Sequence, residues 1–150
     1  DHRDLHSFPT RRSSDLMGAA ARGFKAAGGK VTGIVPEIFD YPDHLFADMD
    51  EKIVTRDMAE RKTRMIQVSQ AYIAVAGGIG TYDELTEVMV EKQCGYYDKP
   101  IFVFNTCGFY DPFLKLLEHT EAEGFMRGDF RELVTITDDP EAIIRILKED

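Results

Sequence analysis

Ala71–Val88 reads AYIAVAGGIGTYDELTEV, and the period of its apolar residues changes in the middle. The first six residues are apolar with hardly a polar alternate, the pattern of a strand covered on both faces. Gly77, Gly78 and Gly80 then interrupt the run, and from Thr81 the sequence reads as a helix closed by Gly95. A strand buried on both sides, a tight loop and a helix together predict a parallel sheet with helices on two faces. In such sheets ligands bind beyond the carboxyl ends of the strands, so the loop Ala76–Glu84 is the first place to look for chemistry.

Glycines there let a backbone come close to a ligand, and the start of the helix offers unpaired N–H groups and a positive dipole end. A phosphate suits that environment, although a plain tight turn accounts for the glycines equally well. Two better-known phosphate loops are excluded. From Gly78 and Gly80 the third position of G-x-G-x-x-G is Asp83, and no Walker G-x-x-x-x-G-K-[ST] is present. Thr81-x-x-Glu84 also has the spacing of a capping box, with Thr81 as N-cap, Glu84 folding back at the third helical position and Asp83 complementing the dipole in the first turn.

The helix expected upstream, Asp57 to Gln70, opens on a second such box, Asp57-x-x-Glu60. Met58, Arg61, Met65 and Val68 share one face of it, which sets Arg61 in an apolar stripe. An arginine there either snorkels at the edge of the core or finds a partner, and Glu84 or a bound phosphate are the candidates. Lys62 points about 100° away, toward solvent or toward a second phosphate contact.

The rest of the chain continues the alternation. LMGAAARGFKAAGG reads as a helix from Leu16 ending on Gly28 and Gly29, and KVTGIVP as a strand. An irregular segment with turn chemistry at Pro42 leads to the short strand KIVT. PIFVFN, a helix in YDPFLKLLEHTEAEG, the strand LVTIT and a last helix in DPEAIIRILKE complete the series. The expected fold is α/β, a Rossmann-like three-layer αβα arrangement with a mostly parallel sheet. At 150 residues it fits one domain. A formal charge of −9 argues against nucleic acid as a partner. No apolar run is long enough for a membrane span, so the cytoplasm is the expected location. Cys94 and Cys107 have neither disulfide-framework nor zinc-site spacing and read as two reduced, packed thiols.

MAERKTRM, AYIAVAGGIGTYDELTEV, QCGYYDKPIFVFN and GFYDPFLKLLE resemble, in order and spacing, the LOG (Lonely Guy) family of cytokinin riboside 5′-monophosphate phosphoribohydrolases, often labelled "possible lysine decarboxylase". The family pattern is an arginine-lysine pair followed by P-G-G-x-G-T-x-x-E. The resemblance implies hydrolysis of the N-glycosidic bond of an adenosine 5′-monophosphate, often N6-modified, to free base and ribose 5-phosphate. It carries the catalytic arginine to Arg61 and the catalytic glutamate to Glu84. Substrate binding falls on Lys62 and on Gly77, Gly78, Ile79, Gly80, Thr81, Tyr82 and Asp83. It also implies a homodimer, a nucleoside monophosphate as the small-molecule partner, and no metal, flavin or nicotinamide cofactor. C–N cleavage builds positive charge on the ribose, and a carboxylate beside it both stabilises that charge and orients the attacking water. Two positions depart from the family. Ala76 replaces the proline before the glycine pair, and the tryptophan common in the following helix is absent from a chain without Trp, which bears on the identity of the base. The decarboxylase label has no lysine in a context suited to a pyridoxal phosphate Schiff base. The other class of function open to this fold is a non-catalytic nucleotide or cofactor carrier, which has no need of Arg61 together with Glu84.

The resemblance begins inside the family's domain, at about Leu16. A leading β-α-β unit of roughly 30 residues or more, with the central strands of the sheet and a first glycine-serine loop, is expected to be missing. In front stands HSFPTRRSSDL, which matches the translation of a widely used short-read sequencing adapter. Residues 1–16 are accordingly expected to be foreign to a native domain spanning 17–150, and their three arginines and three aspartates leave the net charge unchanged. A sheet without its central strands predicts that the 150 residues as they stand are unstable or impaired in activity.

Overall fold

The computed structural model describes residues 10–41 and 47–149, with the side chains of 10–15 and 149 excepted. The turn expected at Pro42 and the stretch 1–9 lie outside the described residues. Ten principal elements follow one another: α1 (Thr10–Ala26), β1 (Thr32–Pro36), β2 (Glu51–Thr55), α2 (Met58–Val68), β3 (Tyr72–Ala74), α3 (Ile79–Gln93), β4 (Ile101–Phe104), α4 (Asp111–Ala122), β5 (Thr135–Thr137) and α5 (Pro140–Glu149). Their order bears out the α/β alternation, and every strand pairing is parallel, as a Rossmann-like three-layer fold requires. The strands pair in two sheets, and the chain divides into two compact units, Asp1–Val68 and Ser69–Asp150.

In the first unit β1 pairs with β2 from Thr32↔Glu51 to Pro36↔Thr55, and α2 lies against both. The entrance to this ladder is held by charge. Asp50 accepts the Val31 N–H at 2.7 Å on one oxygen and meets Lys25 Nζ, from the last turn of α1, at 2.7 Å on the other. Helix α1 begins at Thr10 rather than Leu16, because Arg11–Asp15 contain no proline or glycine to stop it. It ends as expected. Gly28 has φ +80°, and Gly29 N–H reaches back to the Phe24 carbonyl at 2.8 Å, the bond that closes a helix over a left-handed residue.

In the second unit β3, β4 and β5 lie side by side in sequence order, with α3 and α4 as the crossovers that parallel neighbours need. Strand β4 is central. Its Ile101, Phe102 and Val103 are fully buried, joined by Leu85, Val88 and Met89 from α3, Tyr110, Phe130, Val134 and Ile143. AYIAVA, expected as a strand covered on both faces, yields only the three residues of β3, with Ile73 exposed. Its ladder stops at Ala74, and the next carbonyl, that of Val75, accepts the Tyr110 hydroxyl at 2.6 Å. Cys94 and Cys107 are free but exposed rather than packed, one capping the end of α3 and the other in the turn after β4. Among the described residues no helix is long and apolar enough to cross a membrane.

Candidate functional site

The loop between β3 and α3 differs from the expected capping box in a way that matters chemically. Gly78, extended at φ −97° and ψ −158°, is the N-cap, and its carbonyl accepts from Thr81 N–H at 3.0 Å and Tyr82 N–H at 3.2 Å. The helix therefore starts at Ile79, three residues sooner than the sequence pattern indicated. Thr81 is its third residue and Glu84 its sixth, so Glu84 does not close a box over Thr81. Asp83 likewise falls past the first turn, which contains no acidic residue. Gly78 has no side chain to cap the helix. The positive end of α3 thus has no N-cap side chain and no acidic residue in its first turn, which favours an external anion.

The glycines divide by cause. A Cβ on Gly77 would stand 2.1 Å from Thr81 Oγ1, so Gly77 is required by the chain's own packing. At Gly78 and Gly80 a Cβ would meet nothing within 4 Å. A glycine in a helix costs about 1 kcal/mol relative to alanine, and the contacts of this chain do not ask for one at Gly80. Open backbone at both positions suits close approach by a ligand. Ile79 between them is 85% exposed.

Glu84 is half-buried, and Tyr72, at the start of β3, donates its hydroxyl to Glu84 Oε2 at 3.3 Å. Tyr82 is turned to packing. Its ring stacks on Phe113, centroids 5.6 Å apart and 18° between planes, and meets Tyr110 edge-on at 6.2 Å. Tyr72 and Tyr110 did not stand out in the sequence. The signal available for Tyr110 was its position just beyond the carboxyl end of β4, beside the loop already singled out.

Arg61 and Lys62 belong to the first unit, both half-buried on α2. Arg61 donates from Nε to the carbonyl of Ile34 on β1 at 3.0 Å, so its guanidinium is anchored at one edge. The stripe it shares is only partly covered, for Met58 and Val68 are exposed. Asp57 caps α2 by accepting the Glu60 N–H at 2.8 Å. Glu60 reaches one residue beyond the box, accepting from Arg56 N–H at 3.0 Å and Arg56 Nε at 2.9 Å. Those bonds, the side-chain one first, hold its carboxyl below the usual glutamate range. Among the described residues no group of three or more His, Cys, Asp or Glu is arranged to hold a metal ion.

Parallel strands alternating with helices, and a glycine loop opening an uncapped helix at a strand's carboxyl end, define a Rossmann-like α/β protein. The family model described as possible lysine decarboxylase matches residues 17–147, and the chain belongs to that family, the one its motifs resemble. It is 34% identical over 137 residues to a probable cytokinin riboside 5′-monophosphate phosphoribohydrolase of Oryza sativa subsp. japonica, covering 91% of this chain and 61% of that protein. A cytokinin riboside 5′-monophosphate phosphoribohydrolase of Rhodococcoides fascians is 34% identical over 134 residues, covering 89% and 68%. One of Arabidopsis thaliana is 31% identical over 137 residues, covering 91% and 64%. The chain thus spans about three-fifths to two-thirds of the length of these relatives.

Proposed function

We propose that the chain hydrolyses the N-glycosidic bond of adenosine 5′-monophosphate or an N6-modified form, working as a homodimer in the cytoplasm. Water adds to C1′ of the ribose, the bond from C1′ to the base nitrogen breaks, and the base leaves with a proton. The observation that carries this reading is the start of α3. A helix end without an N-cap side chain or first-turn acid, and two glycines open to solvent, suit the 5′-phosphate, while Glu84 lies further along the same helix. Gly77, Gly78, Ile79, Gly80 and Thr81 supply backbone to the phosphate, with Tyr82 and Asp83 completing the binding segment. Glu84 stabilises the positive charge that develops on the ribose and orients the water. Arg61 and Lys62 contribute positive charge toward the substrate, with Arg61 as the second catalytic residue. The names of the relatives support the reaction class.

The test is release of ribose 5-phosphate from AMP and from N6-isopentenyl-AMP, with AMP binding measured alongside. Glu84→Gln and Arg61→Ala are expected to lower turnover by about a hundredfold or more, and Glu84→Gln is expected to keep AMP affinity. Tight AMP binding without ribose 5-phosphate release by the unsubstituted chain would make the protein a nucleotide carrier instead.

A further inference from the structure

We propose that Tyr110 is a positioning residue for the glycine loop: its buried hydroxyl fixes the Val75 carbonyl, and its ring braces Tyr82, so that one side chain holds both ends of the segment between them. As a statement about substrate binding this rests on the reading above; as a statement about the loop it stands on geometry alone.

Tyr110 is 0% exposed, yet it carries a phenol, which is unfavourable in a core unless bonded. The bond it makes crosses 35 positions of sequence, to the residue just before Ala76 and the glycines, at 2.6 Å. Burial, with Tyr82 adding to it, pushes the hydroxyl's pKa up to about 12, so it remains a donor through the neutral range. On the far side of the loop Tyr82, in the first turn of α3, meets the same ring edge-on at 6.2 Å. Residues 76–81 are therefore bracketed by two contacts of one side chain.

Tyr110 is itself pinned. Its N–H donates to Asn105 Oδ1 at 2.7 Å, Asn105 Nδ2 donates to Asp111 Oδ1 at 2.8 Å, and Asn105 N–H donates to the Thr137 carbonyl at 2.8 Å. The turn that makes this possible contains Cys107 at φ 55°, a conformation costly for a residue with a Cβ and kept only where surrounding contacts impose it. The carboxyl ends of β4 and β5 are thereby linked through Asn105 and Tyr110 to the carboxyl end of β3, where the loop starts.

Tyr110→Phe keeps the ring and removes the hydroxyl, leaving the Val75 carbonyl without that donor. Phe130→Leu, which thins the core next to β5, serves as a control for lost stability. Amide hydrogen exchange at residues 77–81 is expected to rise about tenfold in Tyr110→Phe beyond any rise in the control. With AMP as substrate, KM is expected to rise by a similar factor while kcat stays within about twofold. Loop exchange no faster than in the control would overturn the proposal, as would kcat and KM changing only as they do in Phe130→Leu. Faster loop exchange in a chain that never turns over AMP would leave Tyr110 as the brace of the loop and remove the hydrolase reading instead.

Discussion

Both units pair parallel strands and carry helices, but their described residues differ in how they are buried. In Ser69–Asp150 the interior is hydrocarbon and aromatic, with a buried core that runs from Ala74 to Ile143, whereas among the described residues of Asp1–Val68 the buried apolar residue is Pro36 at the end of β1. Among the described residues of Asp1–Val68 the buried polar side chain is Thr55, while Phe24, Val54, Met58 and Val68 are exposed. Beside its β1–β2 ladder that unit shows exposed charge-assisted contacts: Lys25 with Asp50, Lys52 with Asp40, and Arg56 with Glu60. Exposed ion pairs contribute little each, whereas buried apolar surface contributes in proportion to its area. The proposed chemistry divides along the same line, with the glycine loop and Glu84 in Ser69–Asp150 and Arg61 and Lys62 in Asp1–Val68.

The largest expected effect tests that contrast directly. Phe102→Ala in the middle of β4 removes a fully buried ring and should destabilise the protein by about 3–5 kcal/mol. Val54→Ala in β2, where the side chain is already exposed, should cost less than about 1 kcal/mol. Chemical denaturation of the two variants measures both, and equal losses would erase the distinction between the units. In the first unit a polar change should matter more than an apolar one. Asp57→Ala removes the cap that receives Glu60 N–H and is expected to cost about 1 kcal/mol, read as faster amide exchange confined to the start of α2.

Next in size is a pair of identical substitutions in the second unit. The Tyr97 hydroxyl is buried without a hydrogen-bond partner, and burial raises its pKa. Tyr97→Phe should therefore be neutral or stabilise by up to about 1 kcal/mol, while Tyr110→Phe destabilises by a similar amount because it strips a donor from a part-buried carbonyl. Thermal melts of the two variants should move in opposite directions. Parallel shifts would mean that the phenols are equivalent.

The features legible in the sequence were those written in neighbouring residues. Strand and helix order followed from apolar period, and Gly28 and Gly95 ended their helices because a φ of +80° favours glycine. The loop after β3 was legible as a site because glycines and a helix start are local marks. Thr81-x-x-Glu84 misled for the same reason: the capping-box spacing is local, and it cannot register that Gly78, three residues earlier, already caps the helix. Strand burial also escaped, since IFVF and AYIAVA have similar composition and only the sheet order makes β4 central. Least legible were Tyr72 and Tyr110, whose bonds to Glu84 and Val75 span 12 and 35 positions and leave no trace in spacing.

The smallest effect distinguishes the units by pH. Asp50 is held below its ordinary carboxyl range by the hydrogen bond from Lys25 and then by the Val31 N–H, and Glu60 by Arg56. A carboxyl depressed in the folded state contributes stability that is present above its unfolded pKa, about 4, and is lost as pH falls through the lower folded value. Both groups are open to solvent, so the contribution is modest and salt screens it. Acidification below pH about 4 should therefore speed amide exchange at Val31, which donates to Asp50, and at Arg56, which donates to Glu60. Exchange at Phe102 and Val103, corrected for its intrinsic pH dependence, should not change over the same range, because the described carboxylates lowered in this way, Asp50 and Glu60, both belong to the first unit and not to β4. Asp50→Asn should remove the acid sensitivity at Val31 and leave that at Arg56 intact, since the two carboxylates stand at opposite ends of β2. If both amides lost protection together in Asp50→Asn, the first unit would open as one cooperative piece rather than from its separately pinned ends.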